Sequence, residues 1–260
     1  MIQRYDSLAQ FVEVAKDCPN GNASYTWCGN ISHNETVRLA LNGDDKLVPE
    51  AEKLLEKLDS DIEIARPEWV PSIAGAFPSV PDYLAGLPDS MRTMHPTMRD
   101  TTPVSIYVST TSSAGIDADT MMKRGVAILA LLMKLQQMRP VQLFLLAELH
   151  GRTDGEYLQV IRIESTPLNI STACFVLTHV GFARHLTYGV AHAKDSFNGQ
   201  WPHMYNGGGS QWEEHVREKL GMNPQDVYVG AARIWDDVVR RPVEWVNKQV
   251  AQFVAKEDWE

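Results

Sequence analysis

Ser109, Thr111 and Ser113 alternate along a polar turn, Ser109-Thr110-Thr111-Ser112-Ser113, that follows a β-forming run. Hydroxyls in that pattern can offer oxygen to a cation, a nucleophile to a substrate, or a cap to the next helix. A hard cation usually needs carboxylates among its oxygens, and the turn contains none. A nucleophile needs a base, and no G-x-S-x-G, H-E-x-x-H or G-x-x-x-x-G-K-S/T motif marks one. The run therefore reads as a turn and helix cap, with Asp117 or Asp119 able to cap. The expectation is no enzyme activity, no metal and no cofactor.

Four histidines follow: 179, 185, 192 and 203. His179 and His185 fall on different faces of a helix. His185 and His192 share a face but stand two turns apart, about 10 Å. Zinc on a helix favours spacings of three or four residues, so these read as ordinary core or helix histidines. Residues 182–205 also interleave rings and cations: Phe182, Arg184, His185, Tyr188, His192, Lys194, Phe197, Trp201, His203 and Tyr205, with Asp195 as the one carboxylate. Unpaired nucleic acid is held by bases stacked on rings while cations follow the backbone. A core helix with a packed aromatic loop explains the same residues. Arg92, Arg99, Lys123, Arg124 and Arg233 could add phosphate contacts.

The elements that must position these groups centre on residues 103–149. PVSIYVS is a strand, 117–138 a long helix and RPVQLFLLAEL a second strand. Such a βαβ crossover places its strands parallel and adjacent. The Ser/Thr turn then lies where open α/β sheets bind ligands, outside the carboxyl ends of the strands. The 117–138 helix is apolar nearly all round between Val126 and Met133, so its second side must meet front-end helices, the proline-rich segment or another subunit. Residues 148–164 read as a hairpin turning at Asp154-Gly155, its return strand at or near an edge. A long helix over 170–194, a short one over 211–220, a strand over 226–231 and a final helix through Trp245 and Phe253 follow. The front end, 1–65, reads as a helical layer with helices near 6–16, 33–42 and 46–58, the second opened by the capping box Ser32-His33-Asn34-Glu35. Residues 66–103 hold seven of the 14 prolines. That argues against regular structure, and their apolar side chains argue for a connector packed on a surface. Residues 104–260 form the α/β core.

The net charge of −9 is uneven: −8 over 1–89, +2 over 90–205 and −3 over 206–260. An acidic whole argues against indiscriminate polyanion binding and leaves room for a local basic groove in the middle third. The longest apolar stretch, Val126 to Met133, is far short of the roughly 20 residues of a membrane span. The N-terminus lacks the apolar run of a secretory signal. Three cysteines without a CxxC pair fit a reduced intracellular protein.

The strand–turn–helix at 104–138 resembles the first unit of von Willebrand factor A-type domains. Ser109, Thr111 and Ser113 align with that family's D-x-S-x-S, without the aspartate. Thr166 resembles its metal-facing threonine, and Gly230-Ala231 stands where it offers another aspartate. The resemblance implies an α/β fold, a mostly parallel sheet with helices on both faces, over about 100–240, without the metal. YTWCGN (25–30), IAGAFPSVPDYLAGLPDSM (73–91) and RGVAILALL (124–132) resemble a bacteriophage family: the single-stranded-DNA-binding RNA polymerase cofactors of viruses that package a giant RNA polymerase. This second resemblance implies binding of single-stranded DNA without an OB-fold. It implies recruitment of a small phage RNA polymerase to melted promoters, in the cytoplasm of an infected bacterium. The ending Lys256-Glu257-Asp258-Trp259-Glu260 looks like the partner-binding tails of single-stranded-DNA-binding proteins, and a frayed helix end accounts for it equally. From chemistry alone, the candidate DNA contacts are Arg92, Arg99, Lys123, Arg124, Arg184, Lys194, Trp201, Tyr205 and Arg233. Two rivals remain: a metal-free A-type protein-interaction module, and a divergent hydrolase using the Ser/Thr turn.

Overall fold

The computed structural model describes residues 1–21, 23–58, 69–94, 103–112, 115–151, 155–164, 168–193, 203–204 and 210–253. The front end gives β1 (Ile2–Tyr5), α1 (Leu8–Ala15), α2 (His33–Asn42) and α3 (Val48–Leu55). Next come β2 (Trp69–Ser72), β3 (Phe77–Pro78), α4 (Val80–Leu84) and β4 (Met91–Met94). The core holds β5 (Val104–Ser109), α5 (Ala118–Gln136), β6 (Val141–Gly151), β7 (Gly155–Ile163) and α6 (Ile170–Thr178). A π-helical turn at Phe182–Thr187 leads to α7 (Tyr188–His192), β8 (His203–Met204), α8 (Ser210–Leu220), β9 (Val227–Val229), α9 (Asp237–Arg240) and α10 (Pro242–Val250).

The main sheet runs β1-β7-β6-β5-β9, with β8 also paired to β6. β5 pairs in parallel with both β6 and β9, and β1 in parallel with β7, while β6 and β7 are antiparallel. The α/β crossover is therefore as expected, in a mixed, mostly parallel sheet flanked by helices. The alternation in VSIYVS sends Val104, Ile106 and Val108 into the core beneath α5. Asp117 caps α5, accepting from the Thr120 amide at 2.7 Å. The far side of α5 meets α3, α6 and α10, so its all-round apolar surface is covered within the chain.

Four expectations change. The front end is more than a helical layer, because β1 supplies the edge strand beside β7. The expected 170–194 helix breaks after Thr178, where His179 turns extended (φ −99°, ψ 118°). Gly181 then passes under Ile31, whose Cγ2 would stand 2.7 Å from an added Cβ. The proline-rich stretch forms a small antiparallel sheet, β2-β4-β3. Pro71 and Pro78 sit on its outer strands, and Pro81 lies in the first turn of α4, positions where a missing amide costs little. Its apolar side chains are not packed away: Ile73 is 79% and Leu84 78% exposed. No described helix is long and apolar enough to cross a membrane.

α8 is tied to β7 by Glu156, which meets Lys219 and, at 3.1 Å, His215. Burial draws the Glu156 carboxyl up, but the bonds from Lys219 and His215 and the Lys219 charge outweigh it and hold it below the usual range. A depressed carboxyl stabilises the fold above its unfolded pKa, and that contribution is lost as pH falls through the folded value. Urea midpoints at pH 5.5 and 3.5 should therefore fall further for wild type than for Glu156→Gln. An equal fall would show that the pair does not hold α8.

Candidate nucleic-acid interface

At the carboxyl ends of β5, β6 and β9 the Ser/Thr turn closes over a buried carboxylate. Glu148, 2% exposed, accepts from the Tyr228 hydroxyl at 2.7 Å, Ser109 Oγ at 3.2 Å and Trp212 Nε1 at 3.4 Å. Burial pushes its carboxyl up against the pull of those donors. Ser109 and Thr111 share a 2.7 Å hydrogen bond, Thr110 Oγ1 donates to the Leu146 carbonyl, and Thr111 O accepts from the Ala232 amide. Ser109 has a carboxylate in reach, but both are buried, so Ser109 itself is not an accessible nucleophile. Ser113 and Thr166 lie outside the described residues. Among the described residues no group of three His, Cys, Asp or Glu is placed to hold a metal.

Two of the proposed DNA contacts are internal ties. Arg124, 1% exposed, donates to the carbonyls of Gly230 at 2.7 Å and Val229 at 3.3 Å. Arg184, 4% exposed, donates to those of Trp27 and Ile116 and lies over the Trp27 ring, 4.8 Å from its centre. Neither guanidinium stands where a phosphate could reach it. Arg92 bonds Asp82 at 2.6 Å, Lys123 bonds Asp119 at 2.6 Å, and half-buried Arg233 lines a cavity of about 340 Å³ with Asp236 and Trp245. Arg99, Lys194, Trp201 and Tyr205 lie outside the described residues. Burial lowers the pKa of both His179 and His185; His185 Nε2 lies 2.9 Å from the Ile31 carbonyl. Phe182 and Tyr188 pack on Phe11 and Trp27. The first half of the aromatic–basic run is thus core.

The outer face of the sheet carries a different set of rings and cations. Positions in between the core residues point there: Tyr107 on β5, Phe144 on β6, Arg162 on β7 and Arg4 on β1. Tyr107 is registered against Phe144, and Phe144 against Arg162. The Tyr107 and Phe144 rings lie nearly parallel, 11° apart with centres 4.8 Å apart. Among the described elements only α8 packs on this face, through Trp212, Val216 and Leu220 against Leu146, Leu158 and Val160. Tyr107 and Phe144 border that cluster and stay partly open, while Arg4 and Arg162 are exposed. Burial raises the Tyr107 phenol; buried Asp226 adds to the rise and Arg4 lies near enough to oppose it. A cleft of about 620 Å³ lies between the front end and α5–α6, lined by Lys46, Met122, Phe175 and His179.

A family model described as a domain of unknown function, DUF7192, matches residues 1–239. The chain belongs to the DUF7192 family. No curated protein and no solved structure matches it. The DUF7192 span opens before β1 and closes inside α9, so it contains every strand of the main sheet and both faces. The residues that sequence reasoning passed over, Arg4, Tyr107, Phe144 and Arg162, all fall within it. Their signal was the alternation of their strands, which says they share a face but not whether a helix covers it.

Proposed function

We propose that this protein binds single-stranded DNA and brings a phage RNA polymerase to unwound promoter DNA in the infected host cell. The carrying observation is the placement of charge. In a chain of net −9, Arg4 and Arg162 stand exposed on the part of the sheet that α8 leaves uncovered. They form no ion pair among the described residues. Local positive charge on an acidic body draws phosphate without making the molecule sticky to every polyanion. The buried, mutually bonded Ser/Thr turn supports a binding role over a catalytic one. A mostly parallel sheet with α5 on one face and α8 on the other is what the A-type resemblance implies, and it supports reading the core as a metal-free A-type domain.

A second reading, the protein-interaction module, draws on the exposed apolar side chains Ile73, Tyr83 and Leu84 of the β2–β4 segment. Titrating the protein with labelled oligo-dT across salt separates the two. For single strands the logarithmic salt slope is about −0.7 per phosphate neutralised, so two arginines alone give about a sevenfold loss between 50 and 200 mM salt. A protein that ignores oligo-dT at 50 mM salt is the interaction module.

A further inference from the structure

We propose that the Tyr107–Phe144 pair is a stacking platform for unpaired nucleobases, with Arg162 and Arg4, both on its β7–β1 side, holding the phosphates. The proposal rests on the single-strand reading above and assigns that reading to four residues.

The strand order sets up the platform. Tyr107 and Phe144 stand side by side on β5 and β6, and the next strand beyond Phe144 presents Arg162, not another ring. The aromatic stack is therefore open on its β7 side, and a base entering there continues it, between the Phe144 ring and a guanidinium. Arginine planes stack well on bases and rings. Arg162 is exposed and engages no described partner, so its plane is available. Arg4 comes from the edge strand β1, one strand further out, and its charge is felt at the Tyr107 phenol, so the two cations and two rings occupy one stretch of sheet.

The buried acids of this face are already satisfied, and the exposed carboxylates Asp6 and Glu164 stand just past the ends of β1 and β7. The acid nearest Tyr107, Asp226, is buried, and its oxygens already accept from the amides of Ser105 and Asn223 at 3.1 and 2.8 Å. Glu148, further along the same face, is sealed beneath Trp212 and Tyr228. α8, ending at Leu220, packs on the same apolar cluster that Tyr107 and Phe144 border. Nothing in this arrangement reads a base edge, so the ligand is an unpaired strand of any sequence. Duplex is refused because paired bases offer no free face to stack on.

Labelled oligo-dT, oligo-rU and a blunt duplex, titrated into the full-length protein at several salt concentrations, test it. Phe144→Leu and Tyr107→Leu keep apolar cover for α8 and remove the ring. Each should weaken oligo-dT by about tenfold to a hundredfold and leave the salt slope unchanged. Phe144→Tyr should bind as wild type. Arg162→Gln and Arg4→Gln should each flatten the slope by about 0.7. A similar loss on oligo-rU supports the platform, since stacking ignores the 2′-hydroxyl. Thermal melts of each variant separate lost binding from lost folding. If wild type fails to bind oligo-dT, the single-strand reading fails. If wild type binds and the folded leucine variants bind equally well, the platform is wrong and that reading stands.

Discussion

Gly125→Ala should destabilise this protein although alanine is the better helix former. Gly125 lies inside α5, where alanine would gain up to about 1 kcal/mol of helix propensity. A Cβ there would stand 2.3 Å from the Leu177 carbonyl oxygen and 2.6 Å from both Leu177 C and Thr178 Cα. Those atoms are the backbone of α6 and its C-terminal end, so no side chain can swing aside. Either the two helices part or the backbone shifts, and overpacking a core costs about 1–3 kcal/mol, occasionally more. Parting them would loosen contacts that Ile128, Leu129, Phe175 and Leu177 share in the core. With a backbone clash at the upper end of that range, less the gain in propensity, a net loss of about 2 kcal/mol is expected, lowering the melting temperature by about 4–8 °C, and Gly125→Val should not fold. Gly21→Ala, with nothing within 4 Å of the added carbon, is the control and should be neutral. A Gly125→Ala variant as stable as wild type would mean that α5 and α6 do not approach this closely.

That close approach also shows which parts of the fold could be read in advance. VSIYVS, the 19-residue α5 and the β6 run are long, strongly patterned segments whose partners are near in sequence, and their crossover follows from general handedness and pairing rules. The caps at Ser32 and Asp117 are local hydrogen bonds, legible for the same reason. β1 was not legible. IQRY is four residues with a polar middle, and it becomes a strand only because Leu158–Ile161, far along the chain, offers an edge. The break at His179 depends on Ile31 and Cys28 crowding Gly181 from another part of the chain. In the proline-rich segment each proline could be seen to break structure, but not that three would fall at edges and a first turn.

The site divides along the same line. Arg124 and Arg184 looked like phosphate ligands because an arginine's sequence neighbours say nothing about which carbonyls will face it. Their partners, Gly230, Val229, Trp27 and Ile116, are backbone oxygens that no motif marks. Tyr107 and Phe144 carried no mark of a site, because strand alternation gives them a face but not its cover. Whether they meet solvent is set by how far α8 reaches across the sheet.

Arg124→Met should be among the most damaging single substitutions away from the glycines. The guanidinium is buried, and burial pushes its pKa down to about 10 while Asp236 and Glu148 push back, so it stays charged at neutral pH. Removing it strips donors from the carbonyls that end β9, at about 1–3 kcal/mol for each group left unsatisfied. It also takes positive charge from beside Glu148, whose carboxyl burial already penalises. Methionine recovers apolar packing but not those partners, and breaking a buried charge arrangement from one side costs about 3–5 kcal/mol. A melting temperature lower by about 6–20 °C follows. The pH dependence identifies the cause. Glu148 has a raised folded pKa, so its contribution is fully present below its unfolded value and is lost as pH rises through the folded one. Without Arg124 that loss deepens, and the penalty of Arg124→Met should be larger at pH 8 than at pH 5. Adding Glu148→Gln should recover part of it, as coupled neighbours do. A penalty under 1 kcal/mol, or one flat with pH, would show that the arginine does not balance the carboxylate. A variant as stable as wild type that had lost affinity for oligo-dT would return Arg124 to the surface as a DNA contact. The bonds to Gly230 and Val229 argue instead for a folded, weakened protein that still binds oligo-dT in the cold.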